Sequence, residues 1–187
     1  AHIFGTDWMG RDMLARTVKG LSTSLIIGVC ASLSSCVVAV IIGCACAIFG
    51  KKTDRFFLWL IDLFNGMPLL VLISILVGKG AMGILIGVAL THWTTLSRII
   101  RAEILSIKSE PYISIARSLG TSKFRIASRH ILIHIIPQFV VGVVLLFPHA
   151  ILHEAGVTFL GFGLPPEEPA IGVILSESMR YITAGYW

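Results

Sequence analysis

Four apolar runs divide the chain, at about residues 22–49, 56–77, 81–100 and 131–152. Each is long enough to cross a hydrocarbon layer as a helix, which takes about 20 residues. Strands of a membrane barrel alternate apolar and polar positions, and these runs do not. Lipid offers no hydrogen-bond partners, so a spanning backbone must pair within itself. The pattern predicts an all-α, polytopic transmembrane helical bundle, one transmembrane domain over residues 1–187.

The segments between the runs differ in character. Residues 1–21 are mixed and polar, with Asp7, Arg11, Asp12, Arg16 and Lys19. Residues 50–55 form a short charged turn and residues 78–80 a tight one. The one long polar stretch is 101–130. The tail, 154–187, is rich in Gly and Pro. Asp62, Asn65 and Pro68 interrupt the second run. Gly83 and Gly87 make a GxxxG pair in the third, a spacing that lets helix backbones approach closely. Pro68 and Pro137 break helical hydrogen bonding and predict kinks.

Composition and charge sharpen this picture. The chain is 56% hydrophobic and only 13% charged, where a soluble domain carries roughly 25% charged residues. Its mean hydropathy is +0.90. The formal net charge is +5. Lys51, Lys52 and Arg55 lie in one loop, and Arg98, Arg101, Lys108, Arg117, Lys123, Arg125 and Arg129 in another. Basic residues concentrated in two loops, with only Arg11, Arg16, Lys19, Lys79 and Arg180 elsewhere, are the positive-inside bias of a membrane protein, not a nucleic-acid footprint. Both loops are expected on the cytoplasmic side, with the N-terminal segment and the tail outside. Cys30, Cys36, Cys44 and Cys46 all fall in the first run without a CxxC pair, and read as small buried residues.

The polar stretch has helical character. Pro111 suits a first helical turn, and Gly120 suits a left-handed C-terminal cap. Ile115 and Leu119 are four apart, so they share a face, with Tyr112 one turn earlier. A second short helix is expected to begin at Thr121 or Ser122. An amphipathic helix of this kind either docks in a partner's groove or lies on the membrane surface.

Here a family resemblance emerges. The stretch from Tyr112 to Gly120, followed by Arg129-His130-Ile131-Leu132 and Pro137, resembles the EAA loop of binding-protein-dependent ABC importer permeases. Ser114 and Ile115 stand where that pattern has Glu and Ala. Gly5-Thr6-Asp7 with Gly10-Arg11-Asp12 is similar to the GTDxxGRD segment of peptide and nickel permeases. Thr158-Phe159-Leu160-Gly161-Phe162-Gly163 resembles their SFLGLG segment.

The resemblance implies a type I ABC importer permease in a bacterial cytoplasmic membrane. It implies that Tyr112, Ser114, Ile115, Ala116, Arg117, Leu119 and Gly120 form the coupling helix, seated in an ATPase subunit. Expected partners are a related permease subunit, two ATPase subunits and an extracytoplasmic substrate-binding protein. The chain itself holds no cofactor in this reading, and the ATPases bind ATP and magnesium. Family members carry one further span before the GRD segment and another after the tail, so six are expected in a complete subunit.

The histidines bear on the substrate. His149 and His153 are four apart at the end of the fourth run, hence on one helix face, with Glu154 adjacent. Neutral imidazoles suit nickel and similar borderline metals. His92, beside Trp93, lies in the third run, where a polar group is costly and a functional candidate. His92, His149, His153 and Glu154 are therefore expected along the substrate path, with His149 and His153 as transient metal ligands. Nickel or a metal chelate is the expected cargo; a dipeptide or oligopeptide is the alternative.

Two other functions fit less well. An intramembrane metalloenzyme built on His149, His153 and Glu154 would lack an HExxH motif, and a channel would leave the Gly-capped helix unused. The chain is not expected to be an ATPase. A phosphate loop needs G-x-x-x-x-G-K-[ST], but before Gly50-Lys51 the upstream glycine is replaced by Ala45, and Lys52 follows.

Overall fold

A computed structural model describes residues 2–65, 73 and 75–183. Among these the chain is helical apart from turns and one isolated bridge, Thr6 with Asp12. The helices, in order, are α1 (Met13–Ile48), α2 (Lys51–Asn65), α3 (Ala81–Thr91) and α4 (Trp93–Ser109). Then follow α5 (Pro111–Ser118), α6 (Lys123–Ile126), a π-helical turn (Ala127–Ile131), α7 (Leu132–Phe159) and α8 (Ile171–Thr183). Among the described residues three helical stretches are long and apolar enough to cross a membrane: Met13–Ile48, Ala81–Ser109 and Ala127–Phe159. The predicted kink at Pro68, and residues 66–72 of the second apolar run, lie outside the described residues.

The helices outrun the apolar runs that predict them. α1 begins at Met13, because Asp12 caps it. The Asp12 Oδ1 accepts from the N–H groups of Leu14 (2.8 Å) and Ala15 (3.3 Å), satisfying donors that an uncapped first turn leaves open. Its 36 residues rise about 54 Å at 1.5 Å each, beyond a hydrocarbon core of about 30 Å. α4 continues the third run to Ser109, so the polar stretch is mostly helix and not a loop. α7 runs on through Pro137. The local irregularity sits upstream, where the Leu132 N–H reaches Ala127 O, five residues back.

Helices of this length feed two compact units, each with its own core. One unit comprises Ala1–Ser32, Leu69–Val88 and Phe147–Trp187; the other comprises Leu33–Pro68 and Ala89–Leu146. The first buries Ile27, Ala31, Ile84, Val88, Ala150, Val157, Leu164, Ala170 and Val173. The second buries Cys36, Ala39, Ala47 and Ile61 together with an isoleucine ladder from α4 to α7. That ladder is Ile100, Ile104, Ile107, Ile113, Ile126, Ile131 and Ile135. Four of the cores' contributors from α1 are Ala or Cys, small residues that let neighbouring helices approach. Cys36 and Cys46 are buried as expected, but Cys30 is exposed. Gly83 and Gly87 are both buried on α3.

Candidate functional site

α5 is short because its ends are fixed. Pro111 occupies its first turn, where a missing N–H costs nothing. Gly120 ends it at φ +79. The Gly120 N–H donates to Arg117 O and the Thr121 N–H to Ala116 O, both at 3.0 Å, which is a Schellman cap. Ser122 Oγ accepts from the Arg125 N–H at 3.3 Å and starts α6. Ile113 is fully buried and roots α5 in the isoleucine ladder. Tyr112, Ile115 and Leu119 are 41%, 59% and 80% exposed, so the apolar face read from their spacing is open. Ser114 and Arg117 are exposed as well, and Ala116 is half-buried. The Tyr112 ring lies 5.7 Å from that of His130. Sequence spacing missed Ile113, whose apolar side chain lies off the 112/115/119 face.

The cap is testable alone. No atom would meet a Cβ at Gly120, so a side chain there suffers only from the left-handed backbone. That costs about 1–2 kcal/mol. A Gly120→Val protein is expected to exchange its amides over residues 116–121 roughly tenfold faster, with the isoleucine ladder unchanged. Parental exchange rates would show that the cap does not depend on glycine.

At the other end of α7 the structure separates Glu154 from the two histidines. His149 is exposed and His153 half-buried, but Glu154 is fully buried. One residue is about 100° of helix, so Glu154 points away from the side shared by the histidines. Its carboxylate accepts from Ser24 Oγ at 2.6 Å and from Thr158 Oγ1 at 3.0 Å. Each hydroxyl is oriented in turn by a backbone N–H: Ile171 donates to Ser24 Oγ at 3.2 Å, and Leu164 to Thr158 Oγ1 at 3.3 Å. Glu154 thus ties α1, α7, the glycine-rich tail and the first residue of α8 together. Among the described residues no three His, Cys, Asp or Glu side chains form a group that could hold a metal ion. His92 lies elsewhere, in the half-buried junction between α3 and α4. Its Nδ1 is 2.8 Å from Thr91 Oγ1. The neighbouring Trp93 indole N–H donates to Leu90 O at 2.8 Å.

The motifs at residues 5–12 and 158–163 are folded by their own side chains. Asp7 Oδ1 accepts from the N–H groups of Met9 (2.9 Å) and Arg11 (2.8 Å). Its Oδ2 takes the Arg11 Nε at 2.7 Å and the Arg16 Nη1 at 3.2 Å. Burial opposes ionisation of Asp7, yet the hydrogen bonds from Arg11 and Met9 hold its carboxyl below the usual carboxylate range. Arg16 is buried and also binds Glu177 of α8, Nη2 to Oε1 at 2.9 Å. The later motif ends α7 with a second Schellman cap: Gly161 N–H to Thr158 O (2.9 Å) and Phe162 N–H to Val157 O (3.0 Å). A Cβ on Gly163 would lie 2.2 Å from Thr158 Oγ1, which explains a glycine beside the Glu154 network.

Comparison with known proteins places these features. The family described as the binding-protein-dependent transport system inner membrane component matches residues 39–186. The dipeptide transport system permease protein DppC of Bacillus subtilis is 32% identical over 189 residues, covering 100% of this chain and 59% of the relative. The oligopeptide transport system permease protein OppC of Mycobacterium tuberculosis strain H37Rv is 31% identical over 191 residues, covering 100% of this chain and 66% of its own length. OppC of Bacillus subtilis is 30% identical, with 100% and 62% covered. The chain therefore spans less than two thirds of the length of these curated relatives.

Proposed function

Because the chain belongs to the family of binding-protein-dependent transport system inner membrane components, multi-pass proteins of the bacterial cytoplasmic membrane, we propose that it is a permease subunit of an ATP-driven importer of dipeptides or oligopeptides. The observation that carries the substrate class is the alignment of the whole chain with relatives named for those peptides. The nickel or chelate expectation has no such support. Glu154, expected on the same path, is engaged by Ser24 and Thr158.

In this reading α5 is the coupling helix. Its open face, Tyr112, Ile115 and Leu119, seats in an ATPase subunit that binds ATP and magnesium. A related permease subunit completes the pore, and an external binding protein delivers the peptide to the side bearing the Asp7–Arg16–Glu177 network. His149 and His153 line the path as hydrogen-bonding groups for a passing peptide, not as metal ligands. Alternating access follows when nucleotide-driven closure of the ATPases moves α5.

The test is uptake by vesicles holding the complete complex and its binding protein. Labelled dipeptide is expected to accumulate with ATP, while nickel does not. A His149→Ala/His153→Ala protein is expected to keep peptide uptake within about tenfold of the parent, as for about 1.4 kcal/mol of lost hydrogen bonding in total. ATP-driven nickel uptake that the double variant loses would overturn the peptide reading.

A further inference from the structure

α1 ends at Ile48 without a basic residue in its last turn. The last four carbonyls of any helix lack intrahelical donors, and they carry the negative end of the helix dipole. The missing cation comes from another helix. Lys108 Nζ, in the last turn of α4, donates to Ala47 O at 2.6 Å. The chain then turns at Phe49 and Gly50 into α2, whose first turn contains Asp54. That carboxylate receives both Nε and Nη2 of Arg101, the latter at 2.6 Å. The hydrogen bonds from Arg101 hold the Asp54 carboxyl below the usual carboxylate range, against the opposing effect of burial.

Arg101 and Lys108 are seven residues apart, two turns of α4, and therefore lie on one face. Together they grip both sides of the α1–α2 corner. Between them Ile104 and Ile107 are buried. Above the grip, α1 and α4 touch almost backbone to backbone. A Cβ on Gly43 would lie 2.9 Å from both Ser97 O and Ile100 Cγ2. Only Ser109 and Glu110 separate Lys108 from Pro111, the first residue of α5. The grip thus sits at the root of the helix that, in the proposed function, the ATPase moves.

We infer that Lys108 and Arg101 are positioning residues that carry a displacement of α5 into α1 and α2, so that hydrolysis is linked to transport through this clamp. The inference rests on the importer reading. Displacing α5 moves the last turn of α4, and the ammonium on Ala47 O drags the end of α1 with it. Without the clamp, α4 slides past the corner while the ATPase still cycles.

The experiment uses the complete complex in vesicles and measures ATP hydrolysed and peptide accumulated in the same preparation. A Lys108→Met protein keeps the alkyl stem and loses the charge. It is expected to hydrolyse ATP near the parental rate while transporting roughly tenfold less per ATP, the usual size of a coupling effect. Lys108→Arg is expected to restore more than half of the ratio. For the second contact, Asp54→Arg and Arg101→Asp each lower the ratio, and the double exchange restores it. A purely structural role would lower hydrolysis and transport together, in step with the amount of complex. That result, or a parental ratio in Lys108→Met, overturns the inference and leaves the importer reading standing. A parental complex without ATP-driven uptake overturns the importer reading itself.

Discussion

Replacing Glu154 with alanine is expected to lower the thermal midpoint of the detergent-solubilised protein by about 6–12 °C, the largest stability change of any single substitution considered. Glu154, Ser24 and Thr158 are 0%, 0% and 4% exposed. Removing the carboxylate strands two hydroxyls, each already oriented by a backbone N–H from the far side. A buried donor left without an acceptor costs about 1–3 kcal/mol, and partial relaxation leaves about 3 kcal/mol in all. For a chain of this size each kcal/mol shifts the midpoint by about 2–4 °C. Glu154→Gln should give roughly half the shift, because its amide oxygen still accepts from one hydroxyl. Melting curves of parent, alanine and glutamine proteins decide the matter. Coincident curves for all three would mean that the network does not hold α8 and the tail in place.

The second large effect is on assembly. An Ile115→Asp/Leu119→Asp protein should fold as the parent does, since both side chains are mostly exposed and surface changes are usually within about 0.5 kcal/mol. In the proposed importer the ATPase subunit should bind it at least about 1000-fold more weakly. Burying a charge without a partner at an interface costs about 2–5 kcal/mol, and about 4 kcal/mol already corresponds to three decades in affinity. Titration of the ATPase subunit onto the reconstituted permease pair measures the loss. Parental binding by the double variant would move the ATPase seat away from the face of Tyr112, Ile115 and Leu119. Ser114→Ala serves as the control, because Ser114 is exposed and a small side chain is exchanged for another.

Some of this was legible in the sequence, for local reasons. An apolar run of spanning length becomes a helix in lipid whatever surrounds it. Gly120 is legible because the left-handed backbone excludes other residues over a stretch of a few positions. The face of α5 follows from helical periodicity alone. Run lengths were less legible at their ends. The run starting at 22 gave no sign of a helix from Met13, although Asp12, which caps it, was in view. Likewise the polarity of 101–109 hid the continuation of α4, since apolar content reports where lipid begins and not where hydrogen bonding stops.

The sequence by itself determined the solvent each segment prefers, the helical state of the described apolar runs, the Gly120 cap and the open face of α5. All of these depend on residues within a turn or two of one another. Only the tertiary structure decided the partners of the buried polar groups. Glu154 meets Ser24 across 130 positions, Arg16 meets Glu177 across 161, and Lys108 meets Ala47 across 61. Adjacency suggested that Glu154 would serve His149 and His153. Which faces of distant helices meet sent it to two hydroxyls instead, because a carboxylate buried to 0% exposure must find donors on the side where its helix is packed.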